Sequence, residues 1–227
     1  MIDVEKIYKI DNSGSVDVER SWILTNRTRQ DADISKLSFY VGETVEDLVK
    51  PEAKDSSGSL DVRQEKRGST IELEISPRIN TLSSHQKYKM TLFYQFPNNV
   101  HKLGDVWFFS DLISGMNTSD FSKLISEKMD LELRVILPKL KKRFWQSVFY
   151  ESNPKCKELA KGEKGFQHFG NTILEWTSSL FSDGIRRVEL VYGVKTNIIL
   201  TSFLTFLATV FIAELIKYAF DILKGGG

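Results

Sequence analysis

The side chains with reactive chemistry are few and scattered. Cys156 is the single cysteine, so the chain can build neither an intramolecular disulfide nor a multi-cysteine zinc cage. Lys155 and Lys157 flank it, a setting that can lower a thiol's pKa, although a lone cysteine in a basic loop is more often inert. Of the three histidines, His85 and His101 fall in expected loops and His168 sits between Phe166 and Phe169, an aromatic packing cluster. No two of them stand at metal-ligand spacing. Glu46 with Asp47, and Glu72 with Glu74, read as loop and outward strand positions. No phosphate-binding glycine loop, dinucleotide fingerprint, H-E-x-x-H or G-x-S-x-G is present. The sequence therefore recommends no enzyme, no cofactor and no metal.

Three further ionisable groups stand out by where they lie. Glu214, Lys217 and Asp221 interrupt or follow TNIILTSFLTFLATVFIA, the uncharged run from Thr196 to Ala213. About 20 helical residues span a bilayer core, and Ile198 to about Tyr218 meets that length. Lys195 flanks one end, and Lys217 and Lys224 flank the other, where their stems can snorkel to headgroups. Lys217 stands three residues beyond Glu214, so the two can pair near the interface. A pore-lining role for Glu214, Lys217 and Asp221 is the alternative. Within the same run Thr201, Thr205, Thr209 and Ala213 recur every fourth residue. Small side chains at that spacing let two membrane helices approach closely.

Net charge is +1, from 31 basic and 30 acidic residues, which excludes a surface built wholly for nucleic acid. The distribution is uneven: residues 1–130 carry 17 basic and 21 acidic groups, and residues 131–227 carry 14 and 9. Lys139, Lys141, Lys142 and Arg143 open the basic stretch, and Lys155, Lys157, Lys161 and Lys164 continue it. They suit an acidic membrane or protein surface. The interleaved Phe144, Trp145, Phe149 and Tyr150 raise nucleic acid as a rival, and the overall charge makes it the weaker one.

These groups must be positioned by strands. Val16, Val18, Trp22 and Leu24 alternate with polar residues, as do Leu37, Phe39 and Val41, and Tyr88, Met90, Leu92 and Tyr94. Val4, Ile7 and Ile10 begin the series. Leu60 and Val62, then Ile71, Leu73 and Ile75, flank a hairpin at Lys66-Arg67-Gly68-Ser69. Further strands fall near residues 105–110, 131–137, 144–151, 172–178 and 187–195. Helix is expected at Phe121–Met129, capped by Thr118-Ser119-Asp120, with a short turn near Pro154–Lys161. The four tryptophans read as core, and the Val106-Trp107-Phe108-Phe109 cluster as core before docking patch.

The fold class expected is mainly β. Residues 1–195 would form one large or two small antiparallel, Ig-like β-sandwiches, with any subdivision near 97–103. Residues 196–224 follow as a transmembrane α-helix and 225–227 as a tail. The opening residues do not resemble a secretory signal. The layout is therefore that of a single-pass, tail-anchored protein with its soluble part in the cytoplasm, the extracytoplasmic side being the alternative. The two acceptor tripeptides at Asn26 and Asn117 are discounted on the same ground.

The expected role is recognition: a β domain held on the lipid bilayer for a protein partner or membrane complex, with homo-oligomers formed through the helix. A ligand-sensing effector whose clustered helices permeabilise the membrane is the second reading.

Overall fold

The computed structural model describes residues 3–26, 28–41, 49–68, 70–97, 100–112, 116–117, 130–159, 171–176 and 187–225. The chain first lays down β1 (Asp3–Ile10), β2 (Val16–Thr25), β3 (Ala32–Asp33), β4 (Leu37–Val41), β5 (Val49–Asp55) and β6 (Gly58–Arg67). Next come β7 (Thr70–Ser76), β8 (Thr81–Leu82), β9 (Lys87–Phe96), β10 (Val100–Leu103), β11 (Val106–Leu112) and β12 (Met116–Asn117). It ends with β13 (Asp130–Ile136), β14 (Gln146–Asn153), β15 (Lys157–Leu159), β16 (Ile173–Trp176), β17 (Arg187–Thr196) and, as the one helix among the described residues, α1 (Ile198–Gly225).

Alternation explains most of these strands. On β2 the inward Val16, Val18, Trp22 and Leu24 are buried while Asp17 and Glu19 face water. Met90, Leu92, Tyr94 and Phe96 do the same on β9, and Ile71, Leu73 and Ile75 on β7. One hydrophobic face per strand is what drives each onto a shared core. The hairpin between β6 and β7 closes where expected, with Arg67 opposite Thr70 and Gly68 at φ +64°.

The sequence misassigns β1. Its buried face is Lys6, Tyr8 and Ile10, and Ile7 lies on the other side, half-buried. A period of two cannot carry Val4, Ile7 and Ile10 together. The strand β5 went unread because VKPEAKD is charged and contains a proline. The sheet tolerates Pro51 because the pairing with β9 shifts register between Val49 and Glu52, so no ladder hydrogen bond is demanded there. Of the expected turn at 154–161, Pro154 to Cys156 form a bend and loop, and Lys157–Leu159 are strand β15. The helix expected at Phe121–Met129 lies outside the described residues.

Eleven strands form one sheet in the order β12-β4-β7-β6-β5-β9-β2-β1-β13-β16-β15; a second sheet runs β10-β11-β17-β14, and β3 pairs with β8. The expected all-antiparallel pairing is corrected here, because β1 and β13 run parallel from Asp3 opposite Asp130 to Lys9 opposite Ile136. Two strands so far apart in sequence need no hairpin, and the free edge of β1 accepts β13 in either direction. Arg134 on β13 helps fix that junction, reaching Glu5 on β1 at 2.9 Å, Glu175 on β16 at 3.1 Å and Glu132 at 3.2 Å.

The core draws on both larger sheets. Tyr8 on β1 packs edge-on against Phe109 on β11, with ring centroids 5.0 Å apart, and Val188, Leu190 and Tyr192 of β17 join the same buried cluster as Trp22 and Leu92. Late in β17, Gly193 lets the β10–β11 turn come close: a Cβ there would collide with the Asp105 carbonyl oxygen. Asn26 is fully buried, and its amide nitrogen donates to the Gln30 and Leu82 carbonyls at 2.7 and 2.6 Å, so its side chain is structural.

Candidate functional site

Strand β17 passes into α1 through one residue, Asn197. Its Oδ1 accepts the Leu200 N–H at 3.1 Å, the geometry of a helix N-cap. Its own N–H donates to the Trp145 carbonyl at 2.9 Å. The helix start is thereby fastened to the turn before β14. From Ile198 to Lys217 the helix is 20 residues long with a mean hydropathy of 2.1, and among the described residues none of this stretch is buried. At 1.5 Å per residue that stretch is about 30 Å long, the thickness of a bilayer core. A core helix would be buried. Here Ile199 is 84% and Phe211 66% exposed.

The hydroxyls of Thr201, Thr205 and Thr209 each donate to the carbonyl four residues back, at 2.9 Å in every case. The three polar groups are thus satisfied within the helix, leaving Thr201, Thr205, Thr209 and Ala213 as a line of small side chains. Glu214 and Lys217 stand one turn apart, both exposed. Asp221 belongs to the same helix, but its side chain lies outside the described residues.

The structure divides the basic stretch. Lys139, Lys141, Lys142 and Arg143 are exposed on the segment leading into β14. The strand then runs away from the helix, pairing from Gln146 opposite Thr196 to Asn153 opposite Glu189. Lys155 and Lys157 follow at its far end, about 23 Å away at 3.3 Å per residue. Of the described residues of this basic stretch, only the first group neighbours the start of α1. Lys161 and Lys164 lie outside the described residues.

A second loop reaches the same edge. In the β10–β11 hairpin, the Asp105 carbonyl accepts the Val194 N–H at 3.1 Å, so the tip lies beside the last residues of β17. Leu103 at this tip is 74% exposed and Phe144 at the other turn is 73% exposed. Cations sit over aromatic rings here: Lys102 over Trp107 at 4.8 Å, Arg143 over Trp145 at 5.4 Å and Lys195 over Phe149 at 5.9 Å. Trp145 and Trp107 are half-buried, unlike Trp22 and Trp176, so the expectation that all four tryptophans are core holds for two of them. Phe109 is buried and Phe108 is 40% exposed.

Between the sheets lies a charged cluster that sequence reading missed. Lys6 Nζ donates to Asp111 Oδ2 at 2.6 Å, with both side chains almost wholly buried. The Tyr8 hydroxyl donates to the same oxygen. Arg20 is 1% exposed and stacks its guanidinium over Trp22 at 4.8 Å. Burial is the main reason that the Lys6 ammonium titrates low, at about 8, with Arg20 adding to it and Asp111 opposing. Burial also pushes the Tyr8 and Tyr94 phenols well above their ordinary range, and the Asp111 carboxylate adds to both. The available signal was Lys6 and Arg20 occupying inward parity in strands whose other inward residues are apolar.

Cys156 is half-buried, and that burial pushes its thiol up. The flanking lysines do not activate it. Among the described residues no group of three His, Cys, Asp or Glu side chains is placed to hold a metal ion.

No family model matches this chain, and no curated protein matches it. Solved structures do. An aminopeptidase N family protein from Idiomarina loihiensis aligns over 85% of this chain and 29% of its own, at 12% identity and TM-score 0.41. Leukotriene A4 hydrolase from Saccharomyces cerevisiae aligns over 84% and 28%, at 8% identity and TM-score 0.44. An M1 zinc metallopeptidase from Deinococcus radiodurans aligns over 85% and 42%, at 11% identity and TM-score 0.41. The chain thus spans less than half the length of each. The expectation of no enzyme, drawn from missing motifs, is corrected by this finding, since the structures that align with the chain are those of enzymes. At TM-scores below 0.5 the likeness carries no activity, substrate or metal over to this chain.

Proposed function

We propose that the chain is a single-pass membrane protein whose β domain is a recognition and assembly module held against the bilayer. The observation that carries this is the uncovered 20-residue apolar stretch of α1, fastened at Asn197 to the end of β17. Exposing it to water would forfeit about 25 cal/mol for each Å² of apolar surface, a cost that lipid removes. The cations near the helix start suit the acidic inner leaflet, so the domain faces the cytoplasm. Protease protection on sealed vesicles tests this. Digestion of the domain only where the cytoplasmic face is open supports it, and protection from that side sinks the orientation.

The threonine line supports self-association in the same reading. With their hydroxyls satisfied internally, Thr205 and Thr209 present small surfaces to a second helix. Replacing Thr205→Leu together with Thr209→Leu is expected to reduce energy transfer between donor- and acceptor-labelled chains in vesicles. Unchanged transfer would remove this face from any helix contact.

A further inference from the structure

We propose that the edge of the four-stranded sheet beside the helix start is an anionic-lipid docking surface, in which Phe144 and Leu103 dip into the headgroup layer while basic side chains grip acidic lipids. The inference rests on the reading of α1 as a membrane span, and deepens it by naming what the domain itself touches.

Three observations converge. First, the edge is continuous with the span: the Trp145 carbonyl holds the Asn197 N–H, and the β10–β11 tip holds Val194 through the Asp105 carbonyl. The strand register places Phe144 level with the first helical residue, and Leu103, paired with Val106 opposite Gly193, at the same end of the sheet about 16 Å from it at 3.3 Å per residue, so a bilayer that accepts Ile198 and Ile199 lies against the first tip and faces the second. Second, Phe144 and Leu103 are large apolar residues left mostly exposed at two turn tips. Phe144 packs edge-on against Trp145, centroids 4.6 Å apart, and the pair forms an amphipathic wedge suited to the interface. Third, Lys102, Lys141, Lys142, Arg143 and Lys195 surround these tips, against Asp105 on the same edge, so the charge complements an acidic headgroup layer. Each basic side chain near such a surface strengthens attachment about fivefold.

A lipid occupant fits better than nucleic acid because the exposed apolar tips lie at the end of the sheet where the span begins, whereas bases would need ring faces open for stacking. Trp107, Trp145 and Phe149 instead have cations over their rings. The consequence is orientation: two dipping tips and a span entering through a one-residue connection hold the β domain at a fixed attitude to the membrane.

The test uses the full chain in vesicles of phosphatidylcholine alone or mixed with phosphatidylserine. In a Cys156→Ser background an environment-sensitive fluorophore is attached through Phe144→Cys and, separately, through Lys155→Cys at the far end of β14. The expected result is a blue-shifted emission at position 144, quenched by headgroup-region spin-labelled lipid and stronger with phosphatidylserine. Position 155 should report water throughout. Lys141→Glu with Lys142→Glu and Arg143→Glu should abolish the phosphatidylserine dependence. Alkaline extraction of the same vesicles separates the two readings. A chain released by alkali overturns the span and this surface together. A retained chain whose position 144 reports water in acidic vesicles overturns the docking surface alone. A position 144 signal that responds to single-stranded RNA and not to phosphatidylserine also overturns it, in favour of nucleic acid.

Discussion

Asp111→Asn is expected to destabilise the folded chain by about 3–5 kcal/mol, the cost of leaving a buried charge without its partner. Asp111 lies on β11 and faces Lys6, Tyr8 and Arg20 across the gap between the sheets. Its carboxylate offsets the Lys6 ammonium in a place where water cannot, and it accepts the Tyr8 hydroxyl as well. Removing the negative charge strands a buried cation, and the amide cannot replace it. The triple change Lys6→Met, Tyr8→Phe and Asp111→Leu removes all three polar heads at once. It should therefore lie closer to the parent than Asp111→Leu alone, because Lys6 and Tyr8 are no longer left without the carboxylate and only Arg20 loses the attraction of Asp111. Urea unfolding of the detergent-solubilised chain, followed by the fluorescence of buried Trp22 and Trp176, measures both. An Asp111→Asn midpoint within error of the parent would show that the cluster contributes nothing.

The same cluster sets a pH dependence. Lys6 titrates at about 8 in the folded chain against about 10.4 for a free lysine. Between those values the unfolded chain holds more protons, so stability rises as pH climbs from about 8 to about 10. Tyr8 and Tyr94 act in the opposite sense, since the folded state keeps them neutral while the unfolded state ionises above about 10. The urea midpoint should thus climb, then turn over near pH 10. Lys6→Met should remove the climb and leave the fall.

Leu207→Arg combined with Val210→Arg is expected to release the chain from membranes under alkaline extraction. Leu207 lies at the middle of Ile198–Lys217, where an arginine costs about 2.5–3.5 kcal/mol. Two such charges shift the partition by several orders of magnitude. The β domain makes no use of either side chain, both of which are exposed, so its tryptophan fluorescence should be unchanged. Ile198→Arg, at the interface, serves as a control that should remain in the membrane because its side chain can snorkel. Retention of the double variant would mean that α1 does not cross the bilayer.

The elements that the sequence conveys are those whose cause is local. The burial of Val16, Val18, Trp22 and Leu24 follows from a strand's period of two, and the turn at Gly68 from a residue that tolerates positive φ. The length and apolar character of α1 are equally plain from its residues. Where local preference and tertiary demand disagree, reading fails. VKPEAKD resembles a loop, yet it is strand because β6 and β9 offer pairing on both sides and a register shift accommodates Pro51. Lys6 resembles a surface residue, yet it is core because Asp111 arrives from another sheet 105 positions later.

Taken by itself, the sequence determined a chain of mostly alternating strands, one helix long enough for a bilayer, and a basic surplus in its second half. Those properties are sums over neighbouring residues, and hydrophobic periodicity and run length express them directly. Only the tertiary structure decided that β1 runs parallel to β13, that a buried ion pair joins the two sheets, and that the basic stretch is cut in two by β14. Each of these depends on which distant strands meet, a choice made by the free energy of the whole core and left open by any single segment. The meeting of Phe144, Leu103 and Asn197 at one edge is of this kind: 94 positions separate the outer two in sequence, and the pairing of β11, β17 and β14 brings them together.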